Sequence, residues 1–170
     1  MEKQSAIIET SFWVLGHRID VLSYLFRFFD LFVPEKVRSE VLAPDLQYPQ
    51  RVYGYQEMFT ILEDEGLLSI RNPARSLSQF HAGEASALAL AQEMNWWLLI
   101  NEQRALTFAR QHNIKAVTVP EFVVYLYHAH ILSYNSALGK LDAITSNTGH
   151  YVMQVARQAL LVAAQNRDER

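Results

Sequence analysis

What most limits how this chain can fold is an alternation of short apolar runs with stretches of helical patterning. "SAIIE" (5–9) leads into helical segments within 11–29, and "LFVP" (31–34) leads into a helix opened by Pro34. "LLSIR" (67–71) is followed by the polar loop "NPARSLSQFHAG" and a helix from Glu84 to about Met94. "WWLLI" (96–100) precedes "EQRALTFARQHN", and "KAVTV" (115–119) precedes a helix opened by Pro120. An extra helix is expected within "RVYGYQEMFTILEDE" (51–65). Strands that alternate with helices belong to a parallel sheet covered on both faces, an α/β fold. With 170 residues, half of them hydrophobic and 19% charged, the chain has material for a full core and little scope for long disorder.

From Pro120 onward the patterning stays helical, with breaks near Ser133 and at "TSNTGH" (145–150). "YVMQVARQALLVAAQ" (151–165) is apolar on three faces, more than one core contact uses, so it packs between elements or against a partner subunit. The expected division is an α/β portion over 1–132 and a helical extension over 133–170, packed on the same domain or on a second copy. The chain has no cysteine, which excludes disulfides, thiolate metal sites and cysteine nucleophiles. "MEKQSAIIETSFW" does not read as a signal peptide, and no apolar run approaches the roughly 20 residues that span a bilayer. A soluble, cytoplasmic protein with no membrane partner is expected. The net charge of -3 provides no general attraction to nucleic acid, yet a carboxylate-rich metal site is itself acidic until ions fill it.

Open parallel sheets bind ligands beyond the carboxyl ends of their strands, where strand order reverses. Glu9 closes the first strand; Asn101 and Glu102 close the fourth. Glu84 begins the helix that enters the fourth strand, and such a helix starts at the same edge, where Gly83 permits close approach. Glu40 reaches that edge only if its helix leans over the cleft. Each residue also has a plainer reading. Glu84 suits a helix N-terminus by its charge alone, Glu40 suits an exposed helix face, and polar loops after strands are common. Glu9 is costly at a strand end unless solvated or paired. Carboxylates gathered on one edge raise one another's pKa values. A divalent cation resolves that repulsion, and all-oxygen ligands favour Mg²⁺ or Mn²⁺.

In order along the chain, "IIETSFW" (7–13), "VPEKVRSEVL" (33–42), "GEASALALA" (83–91) and "LLINEQRALTFARQHNIKAVTV" (98–119) resemble the motifs of the PIN-domain family. The resemblance covers about residues 5–132. This family comprises metal-dependent ribonucleases, among them toxins of toxin–antitoxin pairs. The resemblance implies a three-layer α/β/α sandwich with strand order 3-2-1-4-5, to which this chain adds its C-terminal helices. It also implies that Glu9, Glu40, Glu84 and Glu102 are the catalytic acids, holding Mg²⁺ or Mn²⁺ together with Asn101. Thr10 and Ser11 would support the first carboxylate or a metal-bound water. The family usually carries aspartate where Glu9 stands and again at the last site, where this chain has the Asn101–Glu102 pair.

Two functions follow. One is a divalent-metal-dependent endoribonuclease, a toxin-type component acting on RNA, homodimeric and restrained by an antitoxin. The other is a PIN-fold binding or assembly module that no longer cleaves; an unrelated α/β domain with incidental acids is a third reading. Other residues read as structural. Arg104 is close enough in sequence to reach a phosphate but fits a surface position. His128 and His130 point about 200° apart on a helix and make a poor metal pair. Trp96 and Trp97 are expected in the core, and Tyr125 and Tyr127 in an interface.

Overall fold

The computed structural model describes residues 2–168. Among these, five strands form one parallel sheet in the order β3-β2-β1-β4-β5. They are β1 (Gln4–Ile8), β2 (Phe29–Val33), β3 (Leu68–Ile70), β4 (Trp97–Leu99) and β5 (Ala116–Val117). The order 3-2-1-4-5 expected for an α/β sandwich is the one observed, so the strands on either side of β1 run outward in opposite directions. In β1, Ala6, Ile7 and Ile8 are fully buried, as strands covered on both faces require. Ile8 pairs with Leu99, and the Glu9 N–H donates to the Leu99 carbonyl at 3.0 Å. That register sets the ends of β1 and β4 side by side at the reversal point.

The first helices are α1 (Thr10–Arg18), α2 (Leu22–Leu25), α3 (Glu35–Val41) and α4 (Gly54–Asp64). They are followed by α5 (Ala82–Met94), α6 (Gln103–Gln111), α7 (Val119–His128), α8 (Tyr134–Ala143) and α9 (His150–Asp168). α5 is buried along Ala85–Ala91, and it packs on β1, β4, α3 and α6. Its small alanines let four neighbours close around one helix, and left-handed Asn95 ends it. Pro34 stands one place outside the first turn of α3, as its N-cap. Pro120 is likewise not first in α7: Thr118 caps that helix, in a reciprocal pair with Glu121.

α8 and α9 pack on α7. Ala137, Leu141, Ile144, Val152, Met153, Ala156 and Leu160 join the buried cluster that includes the sheet residues. The outer side of α9 keeps Tyr151, Val155, Leu161 and Val162 exposed. Among the described residues no helix is long and apolar enough to cross a membrane. The tryptophans depart from expectation, since Trp96 and Trp97 are only half-buried. The left-handed turn at Asn95 delays β4 to Trp97, leaving Trp96 tilted against Phe32, with ring centroids 4.4 Å apart, beneath the Arg71 guanidinium.

Candidate functional site

Glu9 is the N-cap of α1, and it is 3% exposed. Its Oε2 accepts hydrogen bonds from the Ser11 N–H at 2.8 Å and from the Ser11 hydroxyl. The same hydroxyl accepts from the Asn101 N–H at 2.9 Å, so one serine fastens the end of β4 to the acid at the end of β1. Burial pushes the Glu9 carboxyl up to about 7; the Ser11 hydrogen bonds oppose the shift, and the charges of Glu84 and Glu40 add to it.

Glu40 does lean over the cleft. Its Oε1 accepts from the Gly83 N–H at 2.9 Å and its Oε2 from the Thr10 hydroxyl at 2.8 Å. Thr10 therefore supports Glu40, whereas Ser11 alone supports Glu9. A Cβ at residue 83 would collide with the Glu40 carboxylate, so Gly83 leaves the room in which that carboxylate sits against the start of α5. Glu84, in the first turn of α5, is half-buried. Burial raises its carboxyl first; the charges of Glu102 and Glu40 raise it further, against His81 and Arg104.

Glu102 caps α6, its Oε2 accepting from the Ala105 N–H at 2.7 Å. Asn101 uses its side chain to join distant segments. Its Oδ1 accepts from the Val119 N–H at 3.2 Å, and its Nδ2 donates to the Thr148 hydroxyl at 3.1 Å. Arg104, exposed as expected, lies over the Phe80 ring at 5.4 Å.

All four glutamates thus reach one edge, where Glu9 feels the charges of Glu84 and Glu40, and Glu84 those of Glu102 and Glu40. They do not close into a cage: among the described residues, no three His, Cys, Asp or Glu side chains are grouped to hold a metal. Some oxygens remain free of hydrogen bonds from described residues, namely Glu9 Oε1, Glu102 Oε1 and both oxygens of Glu84. Such hard, anionic oxygens suit Mg²⁺ or Mn²⁺ chemically. A cleft of about 910 Å³ opens beside Glu102, with Ser11, Arg18, Tyr53, Tyr55 and Asn147 in its walls. Sequence reasoning missed this cleft, because Tyr53 and Asn147 stand far from every acidic motif. The Thr148 contact crosses 47 residues and left no local signal either.

A sequence profile described as a PIN domain matches residues 5–165. Comparison with curated proteins gave no significant match. The profile runs past residue 132 and through most of α9, so the helices beyond the motifs fall within the match.

Proposed function

The chain belongs to the PIN-domain family, whose fold is of the nuclease type, and from that premise we propose a divalent-metal-dependent endoribonuclease that hydrolyses RNA phosphodiester bonds. PIN domains generally use divalent metals, generally bind RNA and are sometimes held by antitoxins. For this chain we propose Mg²⁺ or Mn²⁺ as cofactor, RNA as substrate, and a toxin-type role in the cytoplasm under an antitoxin. The exposed apolar side of α9 supports a homodimer. The single observation that carries the nuclease reading is the gathering of acids at one sheet edge: burial raises the Glu9 and Glu84 carboxyls first, and neighbouring carboxylates raise them further.

When bound, the ion supplies Lewis acidity that activates water and offsets charge at the scissile phosphate. The chain's own residues prepare the ground for it. Glu84 and Glu102 offer their free oxygens. Glu40 is held in place by Gly83 and Thr10. Glu9, whose Oε2 accepts from Ser11, would offer its remaining oxygen, Oε1, and would do so only in its deprotonated form. Ser11 keeps Glu9 and the β4 end in register throughout. Asn101, which the family resemblance implies as an oxygen ligand, has a second lone pair on Oδ1 beyond the one facing Val119.

The binding-module reading draws support from a different observation, the absence of a closed acidic group among the described residues. Thermal unfolding with and without Mn²⁺, on the parent and on Glu84→Ala, separates the two. Ion at about 100 times its dissociation constant should stabilise the fold by about 2.7 kcal/mol. The nuclease reading expects that gain in the parent, its loss in the variant, and RNA cleavage that disappears with it. Equal responses in both proteins, without cleavage, would favour the module.

A further inference from the structure

The cleft beside Glu102 changes chemical character within a few residues. Its lining joins Glu102 to Arg18 and His17 from α1 and to Tyr53 and Tyr55 at the start of α4. Asn147, between α8 and α9, forms part of the facing wall. Among the described residues Arg18 has no carboxylate partner; its Nη1 donates only to the neutral Asn147 Oδ1, at 2.7 Å. A cation left with an amide for company can exchange that amide for a phosphate oxygen at small cost.

The aromatic wall is built rigidly. The Tyr53 and Tyr55 rings lie parallel, 8° apart in plane, with centroids separated by 5.6 Å. Asp45 accepts from the Tyr53 hydroxyl and fixes that ring, while the Arg51 guanidinium sits 4.9 Å from its centroid. The Tyr55 carbonyl accepts from Trp13 Nε1 at 2.9 Å. Buried Gln56 donates to the carbonyls of Val41 and Ala43. Gly54 lets His17 come close, since a Cβ there would be 3.1 Å from His17 Cε1. Rings ordered in advance bind a planar partner without paying for their own ordering.

Resting on the ribonuclease reading for its substrate, we propose that this cleft is a subsite for the nucleotide next to the scissile phosphate of an unpaired RNA segment. The base lies against the wall of Tyr55, Tyr53 and His17, and Arg18 takes the phosphate. A stacked base must be free of its own duplex, so the subsite selects single-stranded RNA. Because Asn147 lies in the connection between α8 and α9, the C-terminal extension contributes to the substrate path as well as to the core.

The test is fluorescence anisotropy of a labelled, mixed-sequence 12-nucleotide single-stranded RNA with the full chain in EDTA and low salt. Tyr55→Leu should weaken binding about fivefold or more, and Tyr55→Phe, which keeps the ring, should stay within about twofold. Arg18→Gln should weaken binding and make the salt dependence shallower by about 0.7 in log–log slope. The same RNA annealed to its complement should bind the parent more weakly. Arg18 is exposed, so its substitution tests the subsite even if Tyr55→Leu melts early. If both variants bind as the parent does, or the parent binds no RNA, the subsite is overturned. Cleavage in Mn²⁺ distinguishes the two ideas. Lost affinity with no cleavage by the parent leaves the subsite standing and removes the nuclease. Cleavage with unchanged affinity and unchanged KM in both variants does the reverse.

Discussion

At the carboxyl ends of β1 and β4 stand Glu9, Asn101 and Glu102; at the opposite end of the same sheet, Phe28, Phe29, Trp97, Phe122 and Tyr125 line a cavity of about 400 Å³. The aromatic end is held by area and ring geometry: Phe122 is 1% exposed and packs 6.2 Å from Phe12 and 6.3 Å from Phe28. The acidic end is held by hydrogen bonds to carboxylates whose proximity is itself unfavourable. Apolar packing dominates at one end of the strands and hydrogen-bonded carboxylates at the other.

The largest effect should come from the aromatic end. Phe122→Ala should cost about 3–5 kcal/mol in denaturant unfolding, while the Mn²⁺ increment in stability persists. Loss of that increment as well would show that the two ends are coupled.

Glu9→Gln should act in the opposite direction. The folded Glu9 carboxyl lies near 7 against an ordinary 4.5, so the folded state holds its proton more firmly than the unfolded chain. In metal-free protein this group contributes fully below about pH 4.5, and its contribution is lost as pH rises through about 7. The shift corresponds to about 3 kcal/mol. Urea unfolding at pH 5 and pH 8 in EDTA should show that decline in the parent and a flatter profile in the variant. A parallel decline in both would assign the pH dependence to other groups.

Gly83→Ala should be smaller, about 1–3 kcal/mol from overpacking against Glu40. Its signature is displacement of the Glu40 carboxylate, read as a weakened Mn²⁺ response in calorimetry. Smallest is Glu102→Ala, which should cost about 1 kcal/mol through the lost α6 cap. If the Mn²⁺ response is unchanged in that variant, Glu102 is a cap and nothing more.

The alternation of strands and helices was legible because burial on both faces leaves short apolar runs that no surface strand would carry. Helix starts were legible to within a residue or two. Pro34 and Pro120 were each placed one position off, because a proline serves as cap or second residue as readily as first. At the site, Glu9 and Glu102 could be assigned to one edge from strand ends, and Glu84 from the start of the helix that enters the fourth strand. Glu40 could not, since its place depends on how closely α3 approaches α5, and Gly83 is the only trace of that approach in the sequence. Trp96 and Trp97 misled for a related reason. Large apolar residues ahead of a buried strand suggest core, but a left-handed Asn95 holds them at the rim.

The links from Asn101 to Thr148 and from Arg18 to Asn147 also bear on the order in which the protein is made. Synthesis proceeds from the amino end at about 5–20 residues per second, and folding follows emergence. All four glutamates leave the ribosome before Asn147 and Thr148 exist. A nascent chain can therefore carry every acid of the site while its cleft still lacks a wall. That wall arrives last, with the segment between α8 and α9.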